Sequence, residues 1–192
     1  MKLGFRCRVC TVAVALLTIA PAMWTGPKPQ ASSGAPAPST VLNDLLKDWQ
    51  GQKKTMMTIA DAMPEDKFDF KSTPAQRSYG EQVLHIGLVN VQLLKLIGGK
   101  ATPPSFTAQS AKTKAEVIQA MSDSYDYGIA LIKEQTDATI IQTVPAPAFL
   151  GASTRARIFW TLLTHSMDIY GQMAVYLRLN GVVPPASRRA LP

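Results

Sequence analysis

The sequence predicts an all-α protein built as a four-helix bundle. Three observations predict it. Four segments place apolar residues at helical spacing. Two of them open on capping boxes, Ser78-Tyr-Gly-Glu81 and Thr113-Lys-Ala-Glu116, in which side chain and backbone satisfy each other's free polar groups. No stretch alternates apolar and polar residues strongly enough to compete as a strand. Short loops are not expected throughout, because a long connection precedes the last helix.

The first helix starts near Ser39 or Thr40, either a fair N-cap. Val41, Leu45, Leu46, Trp49, Met56, Ile59 and Ala60 keep a rough helical spacing, and Pro64 lies just beyond its end. Phe68 and Phe70 alternate with charges, and they are expected to plug one end of the bundle. The second helix runs from its Ser78 cap through Val83, Leu84, Ile86, Leu88, Val89, Leu93, Leu94 and Ile97 to Gly98-Gly99. Apolar residues occur almost all round it, so it should be the most buried helix.

A loop with Pro103-Pro104 leads to the third helix, whose inner stripe is Val117, Met121, Tyr125, Gly128 or Ile129, and Ile132. It fades near Gln135 to Asp137. The connection that follows contains Pro145 and Pro147 and is expected to cover a bundle end. The fourth helix starts at about Ser153 or Thr154 and reaches Asn180, a length of about 40 Å. Ile158, Leu162, His165, Ile169, Met173 and Tyr176 form its core stripe. Gly181 caps it and Pro184-Pro185 prevents continuation.

The chain opens on Lys2, Arg6 and Arg8, then an apolar run and Ala20-Pro21-Ala22. That order reads as a secretory signal peptide over residues 1–22. The apolar run, about 12 residues, falls short of the roughly 20 that span a bilayer, so no stable membrane anchor is expected after cleavage. Residues 23–38, rich in Pro, Ala and Ser, read as a flexible linker. The bundle occupies residues 39–187 and a tail 188–192. The protein is therefore expected to be exported, to the periplasm or outside the cell. Both cysteines, Cys7 and Cys10, fall in the leader, so the mature chain has no thiol for a disulfide, a metal or a nucleophile. Net charge is +7, and losing the three leader cations leaves roughly +4. The basic residues are scattered, which argues against a nucleic-acid surface.

The whole sequence has 2 histidines, His85 and His165, one on each of two inward-facing helices. Two imidazoles on separate inner faces are what a metal site inside a bundle requires. Asp168 follows His165 by one turn on the same helix, and a carboxylate and a histidine at that spacing recur in bundle metalloproteins. The alternative is structural: the histidines serve as hydrogen-bonded core residues, while Asp168 accepts from an imidazole, pairs with Arg178 or faces solvent. Gln172 and Tyr170 are the candidates to contact a substrate. Glu81 is claimed by the capping box. Asn90 and Gln92 are polar on an apolar helix, so they bond across the core or point into a cavity. No phosphate-cradling glycine loop and no Ser–His–acid order is present.

GEQVLHI on the second helix and H-x-x-D-x-YGQM-x-x-YLR-x-x-G-x-x-PP on the fourth resemble the DinB-like superfamily (damage-inducible, also called YfiT-like) over roughly Val41 to Ser187. The resemblance implies a four-helix bundle with a long connection. It implies a metal site of one histidine from helix two and two from helix four in an H-x-x-x-H pattern. Some members are metal-dependent hydrolases or thiol transferases, and many form dimers. Carried over by position, His85 and His165 match two ligands and Ile169 falls on the third. Two functions remain open. In one, His85, His165 and Asp168 hold a divalent metal, zinc or nickel, and the protein hydrolyses a small substrate. In the other, Ile169 marks a lost site, and a metal-free, non-catalytic bundle binds a small apolar ligand or a protein partner. A homodimer is expected from the resemblance alone.

Overall fold

Four long helices form where the apolar periodicity places them: α1 (Val41–Asp61), α2 (Tyr79–Leu94), α3 (Lys114–Lys133) and α5 (Arg155–Leu179). Between α3 and α5 lie the single-turn helix α4 (Asp137–Ile140) and two short strands, β1 (Thr143–Val144) and β2 (Ser153–Thr154). A last turn, α6 (Pro185–Arg188), follows α5. The structure, a computed structural model, describes residues 40–188. The leader, the linker and the tail beyond Arg188 expected from the sequence lie outside the described residues. No helix among the described residues is long and apolar enough to cross a membrane.

The caps explain the helix boundaries. Thr40 accepts from the Asn43 amide at 3.2 Å and starts α1. Both predicted capping boxes are present, at Ser78 and Thr113. At the end of α5, Gly181 takes a φ of 72°, which lets its amide reach the Arg178 carbonyl and the Val182 amide reach the Leu177 carbonyl. That double bond is a Schellman closure, and its left-handed position favours glycine.

The side-chain pairings set the topology. Trp49 meets Tyr125 while Lys114 bonds to the Asp61 and Met63 carbonyls, so α1 and α3 are antiparallel. Asn90 bonds to Ser124, and Gly87 and Gly99 face Met121 and Leu131, so α2 and α3 are parallel. Tyr79–Tyr176 and Gln82–Gln172 make α2 and α5 antiparallel. Round the bundle the order is α1, α3, α2, α5, with α1 and α2 on one diagonal.

Parallel α2 and α3 demand a return along the length of the bundle, and residues 98–113 make it. Phe106 in that return packs on the core beside Gly87. The connection before α5 instead joins neighbouring ends of antiparallel helices and stays at one end of the bundle. There Thr143 pairs with Thr154 and Val144 with Ser153. This small antiparallel ladder was not expected from the sequence. It is short because Pro145 and Pro147 follow it, and proline donates no ladder hydrogen bond.

The core forms largely where predicted, although Val41 at the start of α1 is exposed. α2 is buried on most of its circumference, including Ile86, Asn90 and Leu94. Phe68 and Phe70 plug the end next to the start of α2, edge-on to Tyr79 at 5.8 Å and to Tyr176 at 6.0 Å. Asn90 does bond across the core. Gln92 does neither of the things expected of it and faces solvent. A close contact between α1 and α3 lies at Gly128. Its missing side chain admits the Trp49 indole, which donates to the Tyr125 carbonyl at 2.9 Å.

Gly128→Ala should reverse the usual benefit of replacing a helical glycine, which is about 0.5–1 kcal/mol. A Cβ there would lie 2.6 Å from Trp49 Nε1. The expected result is a loss of about 1–3 kcal/mol from overpacking, read as a lower denaturation midpoint. A stabilised variant would contradict this packing.

Candidate functional site

α2 and α5 face each other through a ladder of three polar or aromatic pairs. Tyr79 meets Tyr176 at a ring separation of 6.3 Å. One turn on, Gln82 Nε2 donates to Gln172 Oε1 at 2.8 Å. One turn further, His85 meets His165, with the two Nε2 atoms 3.3 Å apart and the rings edge-on at 69°. Steps of three along α2, matched against four and then seven along α5, carry both histidines to one interface. Both are half-buried.

The remaining predicted site residues take different positions. Asp168 is exposed, and its carboxylate accepts from Gln172 Nε2 at 3.0 Å. Gln172 therefore links Gln82 to Asp168 as a bridge. Arg178, an alternative partner for Asp168, donates to Ser187 instead. Tyr170 lines a separate pocket with Thr55, Thr58 and Pro185, on the flank of α5 that faces α1. The structure brings His85 and His165 together, sets Gln172 and Asp168 beside them, and does not bring Tyr170 to the pair.

A pocket of about 400 Å³ opens beside His85. Leu84, Leu88 and Ala108 give it an apolar wall, and Lys71, Arg77 and Glu81 give it a charged rim. Lys71 is engaged by Glu81 at 3.3 Å. The loop carrying Arg77 is held from below, because the buried Tyr176 hydroxyl donates to the Arg77 carbonyl at 2.7 Å. Arg77 and Gln82 were not singled out from the sequence. Gln82 had a signal, since it lies three residues before His85 and so shares its face. Arg77 had none, because it sits in a loop before the helix cap.

Charge and burial act on the imidazoles together. Burial, then the Arg77 guanidinium, then the neighbouring His165 push His85 down to about 4. Burial also lowers His165, with Asp168 opposing the shift and Arg77 adding to it. Both rings are therefore neutral near pH 7, and one must donate to the other. If His165 Nε2–H donates, the His165 Nδ1 is left as a bare lone pair. That atom is buried without a partner, as is Gln82 Oε1. An unpaired acceptor is tolerated more readily than an unpaired N–H, so this tautomer is the favoured one.

The donor set fits part of a metal site. Two nitrogens held at about 2.0–2.1 Å by a tetrahedral ion lie about 3.3–3.4 Å apart, close to the spacing of the pair. A third protein donor is not in the cluster. Ile169, at the position of the third histidine implied by the resemblance, is 3 % exposed within the core. Among the described residues no three His, Cys, Asp or Glu side chains form a group able to hold an ion. An ion on Nε2 would also put the His165 proton on Nδ1, which has no acceptor among the described residues.

The depressed His85 value has a consequence for stability. The unfolded imidazole titrates near 6.5, so between that value and about 4 the unfolded chain binds a proton that the native chain excludes. Stability from this group is complete above pH 6.5 and is lost as pH falls through about 4. His85→Gln should show a shallower fall of Tm over that window than the native protein. Imidazole NMR should find His85 titrating well below the ordinary range. A His85 midpoint near 6.5 would refute the buried, neutral pair.

The comparisons agree with this architecture. A DinB-like protein from Bacillus cereus ATCC 10987 has a TM-score of 0.64 at 17 % identity, over 73 % of this chain and 93 % of that one. A DinB-like protein from Bacillus subtilis has a TM-score of 0.58 at 18 % identity, over 72 % of this chain and 92 % of that one. At such identities the likeness speaks for the fold alone. A comparison with curated proteins finds no match. The DinB family model matches residues 39–189, which include all of the described residues. With the helical architecture and that match in agreement, this chain belongs to the DinB family.

Proposed function

We propose that this protein binds a small molecule in the pocket beside His85 and is not a resident-metal hydrolase. The observation that carries this reading is Ile169, buried where a third nitrogen ligand would be needed. A catalytic ion in a hydrolase is typically held by three protein ligands and keeps one position open. Here the converging donors stop at two imidazole nitrogens. Those two satisfy each other without an ion, through one N–H and one lone pair. In this state the pair stiffens the α2–α5 interface and offers His85 as a polar point on an apolar wall. Gln172 holds the flank by bridging Gln82 and Asp168. With the first residues read as a secretory signal, the ligand would be met in the periplasm or outside the cell.

The nitrogen spacing favours a second reading. In it, His85, His165 and Asp168 hold zinc or nickel, with Asp168 released from Gln172. Such an ion, when bound, supplies Lewis-acid activation of water for hydrolysis of a small substrate. The chain would then use Gln172 to set the Asp168 carboxylate and the pocket to position the substrate. Arg77 opposes this reading, since its positive charge beside the pair disfavours a second cation.

Metal analysis of the untagged protein separates the two. The expected result is well under one equivalent of zinc or nickel, with no gain on reconstitution. Ile169→His should destabilise the fold by about 1–3 kcal/mol through a buried, poorly paired polar group. One equivalent of metal, lost in His85→Ala, His165→Ala and Asp168→Asn, would establish the second reading instead.

A further inference from the structure

Five arginines lie among the described residues, and four of them spend their guanidinium on the protein. Arg155 donates to Gln135, Arg157 to the Leu150 carbonyl, Arg178 to Ser187 and Arg188 to the Val183 carbonyl. Arg77 is the exception among the described residues. Its side chain has no hydrogen bond and no ion pair, yet its charge reaches both histidines. Its backbone is anchored by Tyr176 through the 2.7 Å bond to its carbonyl, so the loop that presents it is held in place. The other cation at the rim, Lys71, is already matched by Glu81.

We infer that the pocket beside His85 takes a small carboxylic acid with an apolar body, its carboxylate on Arg77 and its chain along Leu84, Leu88 and Ala108. This rests on the pocket being the binding site proposed above, and it names the class of ligand. A guanidinium fork matches a carboxylate with two parallel hydrogen bonds. The pocket volume of about 400 Å³ suits a small molecule, since ligand pockets run from about 300 to 1,000 Å³. The charge at the rim selects a monoanion over a phosphate dianion. Lys71 and Glu81 match each other, which leaves the single Arg77 guanidinium to face the ligand. The apolar wall selects a hydrocarbon body over a polar one.

The test uses straight-chain acids from butyrate to octanoate, each paired with the alcohol of equal length, and inorganic phosphate. Binding to the full mature chain is followed by calorimetry and by methyl NMR, with a chelator present throughout. The acids are expected to bind at least tenfold more tightly than their alcohols, to shift the Leu84 and Leu88 methyls, and to outcompete phosphate. Arg77→Gln should remove that tenfold preference, about 1.4 kcal/mol, while leaving alcohol binding and Tm unchanged. Arg77→Lys should restore part of it. Equal binding of acid and alcohol, an unchanged preference in Arg77→Gln, tighter binding of phosphate, shifts that map elsewhere or no binding by any acid would each overturn the inference. The chelator keeps this result separate from the metal analysis. A protein that binds metal can still pass or fail here, and a metal-free protein can still fail.

Discussion

Burial of α2 is the constraint on which the rest of this structure depends. A helix apolar on nearly every side must be surrounded, so α3 and α5 flank it and residues 98–113 pass over it. That enclosure has a chemical consequence. Every polar residue on α2 that turns inward loses water and needs a partner from another helix. Asn90 finds Ser124, Gln82 finds Gln172, and His85 finds His165. The candidate site is thus the place where satisfaction of a buried helix meets an opening to solvent.

A second close approach holds the opposite diagonal in place. Gly128 lets the Trp49 ring lie against α3, where it also stacks edge-on to Phe159 of α5 at 5.5 Å. Tyr125, beside it, shares a hydroxyl hydrogen bond with Ser166 at 2.7 Å, and burial pushes its phenol up to about 12. Ser166 is the neighbour of His165 in sequence. The aromatic packing of α1 and α3 therefore sets the rotation of α5 and, through it, the direction of the His165 ring.

Ile169 stands where the resemblance implies a third histidine, and its buried side chain offers no donor. The bundle, the caps and the histidine pair are all present. Isoleucine there gives apolar contact, and the two imidazoles lie within hydrogen-bond distance of each other. Fold membership therefore says little about activity here, because activity resides in the donor set. Arg77 lines the pocket beside the pair, and on the reading proposed above its positive charge favours an anion over a cation.

The four long helices were legible in the sequence because helix formation is largely local. Periodicity, the Ser78 and Thr113 boxes and the Gly181 closure each act over a few residues; at the end of the second helix the α-helix stops at Leu94 and a 3-10 turn over Lys95–Ile97 leads to Gly98. His165 was legible as inward-facing for the same reason. What the sequence by itself determined is which residues are helical and which face is apolar. Only the tertiary structure decided how those faces meet: that α2 and α3 run parallel, that His85 and His165 come within 3.3 Å, and that Asp168 is drawn to Gln172 and not to an imidazole. It also decided that Arg77 stands unpaired at the pocket and that Tyr170 lies on another flank. These depend on helix rotation and on contacts between residues far apart in the chain, which no local pattern encodes.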